Sequence, residues 1–306
     1  MRLVQHKKEA YWFYRFLSIF YDKLVNPLFW TTKMRDDAHE LGAFHTRDLK
    51  TIDVGSGTGF NTEGLVRHVD AEHITCLDQS PHQMAKAKQK ETLQACNFIL
   101  GDAENLPFAD NHFDRYVSAG SIEYWPNPQQ GINESYRVIK PGGTALMIGP
   151  LEPQNWFSRF FATLWMLFPP QSDYLKWYEN AGFQNIQFIY VAPHWVGKEK
   201  YGIAISGEKP MVANTPVIDD LQSQVPGKNT ETSLGFFRSI LMVLRVLVGS
   251  LAGFIFIPMA LIGYVFKIGS QQDLPEKYRS RLNTYQLIAL VVIFAAIGFF
   301  IYLMVS

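Results

Sequence analysis

The run Asp53-Val-Gly-Ser-Gly-Thr-Gly59 carries the first chemical signal in this chain. Glycines at 55, 57 and 59 let the backbone turn tightly and approach a ligand with no Cβ in the way. The run follows a short apolar segment, Thr51–Val54, and precedes helical spacing over Thr62–Val69. A dinucleotide fingerprint is spaced G-x-G-x-x-G and sets a pyrophosphate on a helix N-terminus. Here the spacing is G-x-G-x-G, with Asp53 two residues before the first glycine. A carboxylate there repels a pyrophosphate. It suits a ligand with a cationic amino-acid end and no phosphate, which describes S-adenosylmethionine. A nicotinamide dinucleotide is the disfavoured alternative.

Two further acids stand at matching places. Asp78 ends a second apolar segment, Ile74–Leu77, where an acid can take both ribose hydroxyls. Gly101-Asp102-Ala103-Glu104 follows a third, Phe98–Leu100, where Asp102 can accept from an adenine amino group. Acids at the carboxyl ends of successive strands are what a nucleoside crevice requires.

The surrounding pattern supplies the elements that would hold these residues. Phe113–Ser118, Thr144–Ile148 and Ile186–Val191 read as further strands. Ser80 and Pro81 open a helix, Asn127–Ile139 is helical up to a Lys140-Pro-Gly-Gly143 turn, and Leu175–Ala181 is a helix closed by Gly182. Strands alternating with helices predict an α/β fold with a doubly wound, mostly parallel Rossmann-like sheet.

Composition bounds the rest. Lysine plus arginine equals aspartate plus glutamate at 28 each, so charge makes no case for a nucleic-acid partner. The chain is 47% hydrophobic, with the excess in the first thirty residues and after Gly235. Val246–Phe266 is 21 residues without a charge, and Leu287–Val305 is about as long and also uncharged. At roughly 1.5 Å per residue each spans about 30 Å as a helix, enough to cross a bilayer. The expected division is a helical, aromatic-rich cap over residues 1–46, a catalytic domain over 47–205, a Pro/Gly-rich linker over 206–233 and a pair of transmembrane helices over 234–306. The N-terminus has neither a secretory nor a transit pattern. With the C-terminal apolar runs, that predicts a membrane-anchored protein whose catalytic domain faces cytoplasm or stroma. Cys76 and Cys96, the two cysteines, read as reduced thiols, with Cys76 buried in a strand. His68, His73 and His82 do not converge with acids at ligand spacing, so no metal is expected.

Longer motifs carry a resemblance. Asp102-Ala-Glu-Asn-Leu-Pro-Phe108, Phe113-Asp114 and Arg137-Val-Ile-Lys-Pro-Gly-Gly143 resemble class I S-adenosylmethionine-dependent methyltransferases, in the branch acting on quinone precursors and sterols. Gln5-His-Lys-Lys-Glu-Ala-Tyr-Trp-Phe-Tyr-Arg-Phe-Leu17, Asp78-Gln-Ser-Pro-His-Gln-Met-Ala-Lys-Ala-Lys88, Arg115-Tyr-Val-Ser-Ala-Gly-Ser-Ile-Glu-Tyr-Trp-Pro126 and Trp165-Met-Leu-Phe168 are similar to the plant-type 2-methyl-6-phytyl-1,4-benzoquinol methyltransferases of tocopherol and plastoquinone synthesis. The resemblance covers residues 1 to about 200. It departs in lacking a plastid leader and in having two apolar runs where one is expected.

This resemblance implies a seven-stranded sheet and donor contacts at Asp53, Gly55, Gly57, Asp78, Gln79, Asp102, Ala103 and Ser118, with Tyr21 at the donor's carboxylate end. The implied reaction is C-methylation of a lipophilic prenylated hydroquinone. A general base must assist the phenolic proton. Glu123, just past the fourth strand, is the first candidate, and His194, after Ile186–Val191, is the second. Tyr11, Trp12, Trp30, Tyr124, Trp125 and Trp165 belong to an aromatic set suited to a ring and its prenyl tail. A sterol or a phospholipid amine as acceptor, or a scaffold that binds the donor without turnover, are the alternatives.

Overall fold

The structure, a computed structural model, describes residues 29–154, 167–193 and 200–211, together with Arg159, Val291 and Ala295. Twelve elements position the site. They are α1 (Thr32–His39), β1 (Thr51–Val54), α2 (Thr62–Leu65), β2 (Ile74–Asp78), α3 (Pro81–Ala87), β3 (Asn97–Leu100), β4 (Phe113–Ala119), α4 (Pro128–Val138), β5 (Ile139–Pro150), α5 (Gln171–Ala181), β6 (Gln184–Val191) and β7 (Gly202–Glu208).

The seven strands form one sheet in the order β3-β2-β1-β4-β5-β7-β6. β3, β2, β1, β4 and β5 run parallel, and β7 lies antiparallel between β5 and β6. Strands β1 and β2 are buried along their whole length, as expected for central strands covered on both faces. Ile52 and Val54 point to one face, where they pack with Leu77, Tyr116, Met147, Ile132 of α4 and Tyr174 and Tyr178 of α5. Ile74 and Cys76 point to the other, with Val117, Leu146, Met34 and Ala38 of α1 and Leu65 of α2. Strand order reverses between β1 and β4, which opens a crevice at the carboxyl ends of those strands.

The helices start where side chains satisfy their first amides. Thr31 Oγ1 accepts the Met34 amide ahead of α1, Ser80 Oγ accepts that of Gln83 ahead of α3, and Asn127 Oδ1 accepts that of Gln130 ahead of α4. Gly182, at φ 96°, ends α5 in a left-handed turn.

Three expectations change. β7 is not legible as a strand from the sequence, and it runs through Glu208, so the sheet takes in the first three residues of the linker expected from 206. Ile203 and Ile205 alternate into the core, while Gly207 lies where a Cβ would meet Phe183 and Tyr178 at 2.9 Å. The Lys140–Gly143 turn is part of β5, because pairing with β4 resumes after a register shift between Phe113 and Arg115. The α2 helix covers four residues, and the chain continues to Val69 in tight turns.

Cys76 and Cys96 are free and buried. Among the described residues no helix is long and apolar enough to cross a membrane. Both apolar runs, apart from Val291 and Ala295, lie outside them, as do Tyr21, His194, residues 1–28 of the cap and all of the 212–233 stretch.

Candidate active site

A cleft sits at the β1/β4 switch point. Its floor is the glycine loop, Gly55 to Thr58, with Asn61 beyond it. Its sides are Asp78, Gln79, Ser80 and Gln83 from the β2–α3 turn, Gly101 to Glu104 after β3, and Ala119 to Ser121 after β4. Trp30, Thr31 and Arg35 from the cap, with Tyr124, Trp125 and Pro126, close the mouth.

The loop needs its glycines. Gly55 and Gly57 have φ of 71° and 55°. A Cβ on Gly57 would stand 2.6 Å from Gln83 Oε1, and one on Gly55 would stand 2.8 Å from Ser121 Oγ. Only a bare backbone lets both flanks approach this closely. The amides of Gly55 and Ser56 donate to the Leu77 carbonyl at 2.8 and 3.1 Å, so the loop is tied to β2.

Asp78 is the organiser of the cleft. Its Oδ2 accepts the Gly57 amide at 2.9 Å and its Oδ1 accepts the Ser80 amide at 2.7 Å. Burial raises its carboxyl above the ordinary range, while those two bonds pull the other way. Asp102 Oδ1 accepts the Glu104 amide at 3.0 Å, which shapes the turn after β3 around Ala103. Gln79 is exposed at the lip.

Two expected donor contacts sit elsewhere. Asp53 is fully buried and is not among the residues lining the cleft. Its carboxylate accepts from Asn61 Nδ2 at 2.9 Å and Thr62 Oγ1 at 2.6 Å, both on the α2 side of the loop. Burial pushes it up to about 6, and those two bonds hold it from rising further. Ser118 is also fully buried: its hydroxyl donates to the Val54 carbonyl at 2.7 Å and contacts Ser121 Oγ. Asp53 and Ser118 thus brace the loop from behind. Asp53 shares the α1/α2 face with Cys76 and Asp78, but it lies one residue inside β1, where Asn61 and Thr62 cover it, whereas Asp78 stands at its strand's end.

The sequence reading missed Arg35, Ser56, Asn61 and Gln83, which line the cleft. Arg35 Nη1 donates to the Phe60 carbonyl at 2.9 Å and its guanidinium lies 5.0 Å over the Phe60 ring, fastening the cap helix to the loop. Ser56 Oγ is buried with no partner among the described residues.

Glu123 lies in the 3-10 turn Ile122–Tyr124 and is 3% exposed. It stands behind Gly120 rather than on the cleft lining: a Cβ on Gly120 would be 3.8 Å from its Oε1 and 3.7 Å from the Trp30 ring. Glu123 Oε2 has no hydrogen-bond partner among the described residues. Burial pushes its carboxyl up to about 8, so at neutral pH most of it is the uncharged acid. The phenols of Tyr174 and Tyr201, raised first by burial and next by Glu123, share this apolar corner.

The donor set suits a nucleoside with a cationic tail. Asp78, Asp102 and Glu104 line the cleft, and Arg35 is the one cation among the described lining residues, paired with Asp36 at 2.7 Å. Three carboxylates against one engaged guanidinium disfavour a pyrophosphate.

Comparisons with known proteins agree with this geometry. A family model described as a methyltransferase domain matches residues 52–147. An Arabidopsis thaliana 2-methyl-6-phytyl-1,4-hydroquinone methyltransferase is 49% identical over 265 residues, covering 84% of this chain and 77% of that one. Its Oryza sativa counterpart is 53% identical over 221 residues, covering 71% and 67%. Both relatives are named chloroplastic. The crystal structure of the cyclase SpnF superposes with a TM-score of 0.56 at 17% identity, covering 67% of this chain and 97% of that one, and shows the fold alone.

Proposed function

The chain belongs to the 2-methyl-6-phytyl-1,4-hydroquinone methyltransferase family, and from that premise we propose how its cleft transfers a methyl group to the ring carbon of a prenylated benzoquinol. The observation that carries this reading is the reach of the similarity. The methyltransferase-domain match ends at residue 147, whereas the Arabidopsis alignment spans 265 residues. A donor cleft is common to many acceptors, so likeness in the remaining chain supports a shared acceptor.

S-adenosylmethionine supplies an electrophilic methyl on a sulfonium. Asp78 and Gln79 take the ribose hydroxyls, and Asp102 and Ala103 face the adenine. The backbone of Gly55 and Gly57 carries the amino-acid end. Asp53 acts on that cationic end through its field and Ser118 by bracing the loop. Tyr21 belongs at the carboxylate end. The aromatic mouth of Trp30, Tyr124 and Trp125 receives the quinol ring and excludes water. Orientation of this kind is worth on the order of 7–11 kcal/mol at best.

Glu123 stands behind Gly120, so the quinol hydroxyl must reach in past that glycine for the ionised carboxylate to remove its proton, which sends electron density to the ortho carbon. That carbon forms its bond to the methyl as the sulfur–methyl bond breaks. The same carbon then loses its own proton to water, the oxygen takes back the proton held by Glu123, and the ring regains aromaticity with S-adenosylhomocysteine as the other product. A base in this role adds typically about 10²–10⁴-fold. His194 is the second candidate.

A lipid-soluble acceptor suits a tethered enzyme, because the anchor raises the effective concentration of substrate at the cleft. Residues 234–306 form that anchor, residues 1–46 the cap, 47–205 with the end of β7 the catalytic domain, and the stretch to 233 the linker. The chloroplast location of the relatives supports a catalytic domain facing the stroma or its bacterial equivalent.

An acceptor panel tests the assignment. Purified full-length protein with labelled donor is expected to methylate 2-methyl-6-phytyl-1,4-benzoquinol. Turnover restricted to a sterol or a phospholipid amine would replace the acceptor, and donor binding with no product from any acceptor would leave a scaffold.

A further inference from the structure

A buried relay links the cap helix to the glycine loop. His39 of α1 is 1% exposed, and its Nε2 lies 2.9 Å from Asn61 Oδ1. Asn61 Nδ2 donates to Asp53 Oδ1 at 2.9 Å. Thr62 Oγ1 donates to Asp53 Oδ2 at 2.6 Å, and Cys76 Sγ donates to Thr62 Oγ1 at 3.7 Å. Gly64 allows the helices to meet: a Cβ there would stand 2.7 Å from His39 Cε1.

The order of donors in this chain is forced. An ionised carboxylate only accepts, so Asn61 must turn its amide nitrogen to Asp53. Its oxygen then faces His39, and Nε2 must carry the hydrogen. Nδ1 is correspondingly the bare nitrogen, and it is buried with no partner among the described residues. If the Asn61 amide turned over, oxygen would face oxygen at Asp53, which only a protonated Asp53 tolerates.

We propose that His39 is a positioning residue for donor binding: through Asn61 it fixes the arrangement in which Asp53 stays a carboxylate behind Gly55–Gly57, where its charge attracts the donor's ammonium end. This rests on the donor reading above. His39 does not itself titrate near neutrality, since burial lowers it to about 4, with Arg35 and His68 lowering and Asn61 and Asp36 raising it. Asp53 is the titrating group. It is faced by Asp78 and Cys76 of β2, Tyr116 of β4 and Cys96 before β3, with Asn61 and Thr62 on the α2 side.

Calorimetric titration of the full chain with S-adenosylhomocysteine across pH tests this. Wild-type affinity is expected to fall as pH drops through about 6. His39→Leu removes the donor to Asn61, so the fall should begin about one pH unit higher or more, with affinity near pH 6.5 down about three- to tenfold. His39→Gln offers an amide N–H to Asn61 Oδ1 and should restore the wild-type profile. The kcat at saturating donor should be the same in all three. A folded His39→Leu with the wild-type midpoint, or a His39→Gln no better than Leu, overturns the proposal. If His39→Leu does not fold, His39→Met, which also lacks an N–H for Asn61 Oδ1, replaces it and must shift the midpoint in the same direction. Absence of S-adenosylhomocysteine binding to wild type at any pH would remove the donor reading itself, whereas binding without a midpoint shift removes only the role of His39.

Discussion

Asp78 Oδ2 accepts the Gly57 amide at 2.9 Å, so the acid at the end of β2 and the middle glycine of the loop are one unit. The same carboxylate holds Ser80, the cap of α3, through its other oxygen. A residue that looks from sequence like a ribose ligand therefore also shapes the floor on which the donor would lie. Asp78→Ala should weaken S-adenosylhomocysteine binding about ten- to a hundredfold, the scale of a charge-assisted hydrogen bond. Calorimetry measures it, with circular dichroism as the check on folding. Unchanged affinity would mean that the cleft is not the donor site.

Glu123 gives a pH signature. Its carboxyl is pushed up to about 8, and only the ionised form is a base. The kcat should therefore rise with pH and level off above about 8. Glu123→Gln should cost about 10²–10⁴-fold in kcat with donor affinity unchanged. A flat profile from pH 6 to 9, or a fully active glutamine variant, would hand the role to His194 or to solvent.

The same carboxyl links stability to pH. Its pKa is raised on folding, from 4.5 to about 8, so the native state holds a proton that the unfolded state releases in that window. Stability from this group is complete below about 4.5 and declines as pH rises through about 8. Glu123→Gln should match wild type in denaturant midpoint at pH 5 and exceed it at pH 9. Equal midpoints at pH 9 would show that the carboxyl is solvated.

Gly131 of α4 is a packing requirement for the aromatic mouth. A Cβ there would lie 2.4 Å from the Trp125 ring, which lines the cleft. Gly131→Ala should cost about 1–3 kcal/mol in urea unfolding as Trp125 is displaced. It should also raise KM for the quinol more than for the donor. An unaltered quinol KM would take Trp125 out of the acceptor site.

Much of this was legible in the sequence, for identifiable reasons. β1, β2 and β4 are short apolar runs ending in glycine or acid, and Ser80-Pro81 and Asn127-Pro128 announce helix starts by side-chain chemistry. β7 was hidden because Gly202, Ser206 and Gly207 dilute its alternation, and glycine is there to admit Phe183 and Tyr178. The acids of the cleft could be placed at strand ends, yet residue parity does not say which of them reaches it. Asp53 and Asp78 share one parity, since Asp53 pairs with Cys76, two residues before Asp78. What separates them is depth: Asp78 ends its strand on the cleft, while Asp53 lies one residue inside β1, behind the loop. Arg35, Asn61 and His39 come together only through packing of α1 on α2, which local pattern does not encode.

A chain ending near residue 233 should remain folded, bind S-adenosylhomocysteine with full-length affinity and no longer sediment with membranes, because the sheet and both of its core clusters lie within residues 29–208. Aggregation of that fragment, or persistence in the membrane pellet, would make the apolar runs part of the core or place the anchor elsewhere.

The most direct measurement follows a deuterated methyl group from S-adenosylmethionine into 2-methyl-6-phytyl-1,4-benzoquinol and locates it in the product by NMR. The predicted result is a label on a ring carbon ortho to a hydroxyl, formed by wild type and nearly lost in Glu123→Gln. A label on a phenolic oxygen, or an unlabelled quinol from an enzyme that still binds S-adenosylhomocysteine, would contradict it.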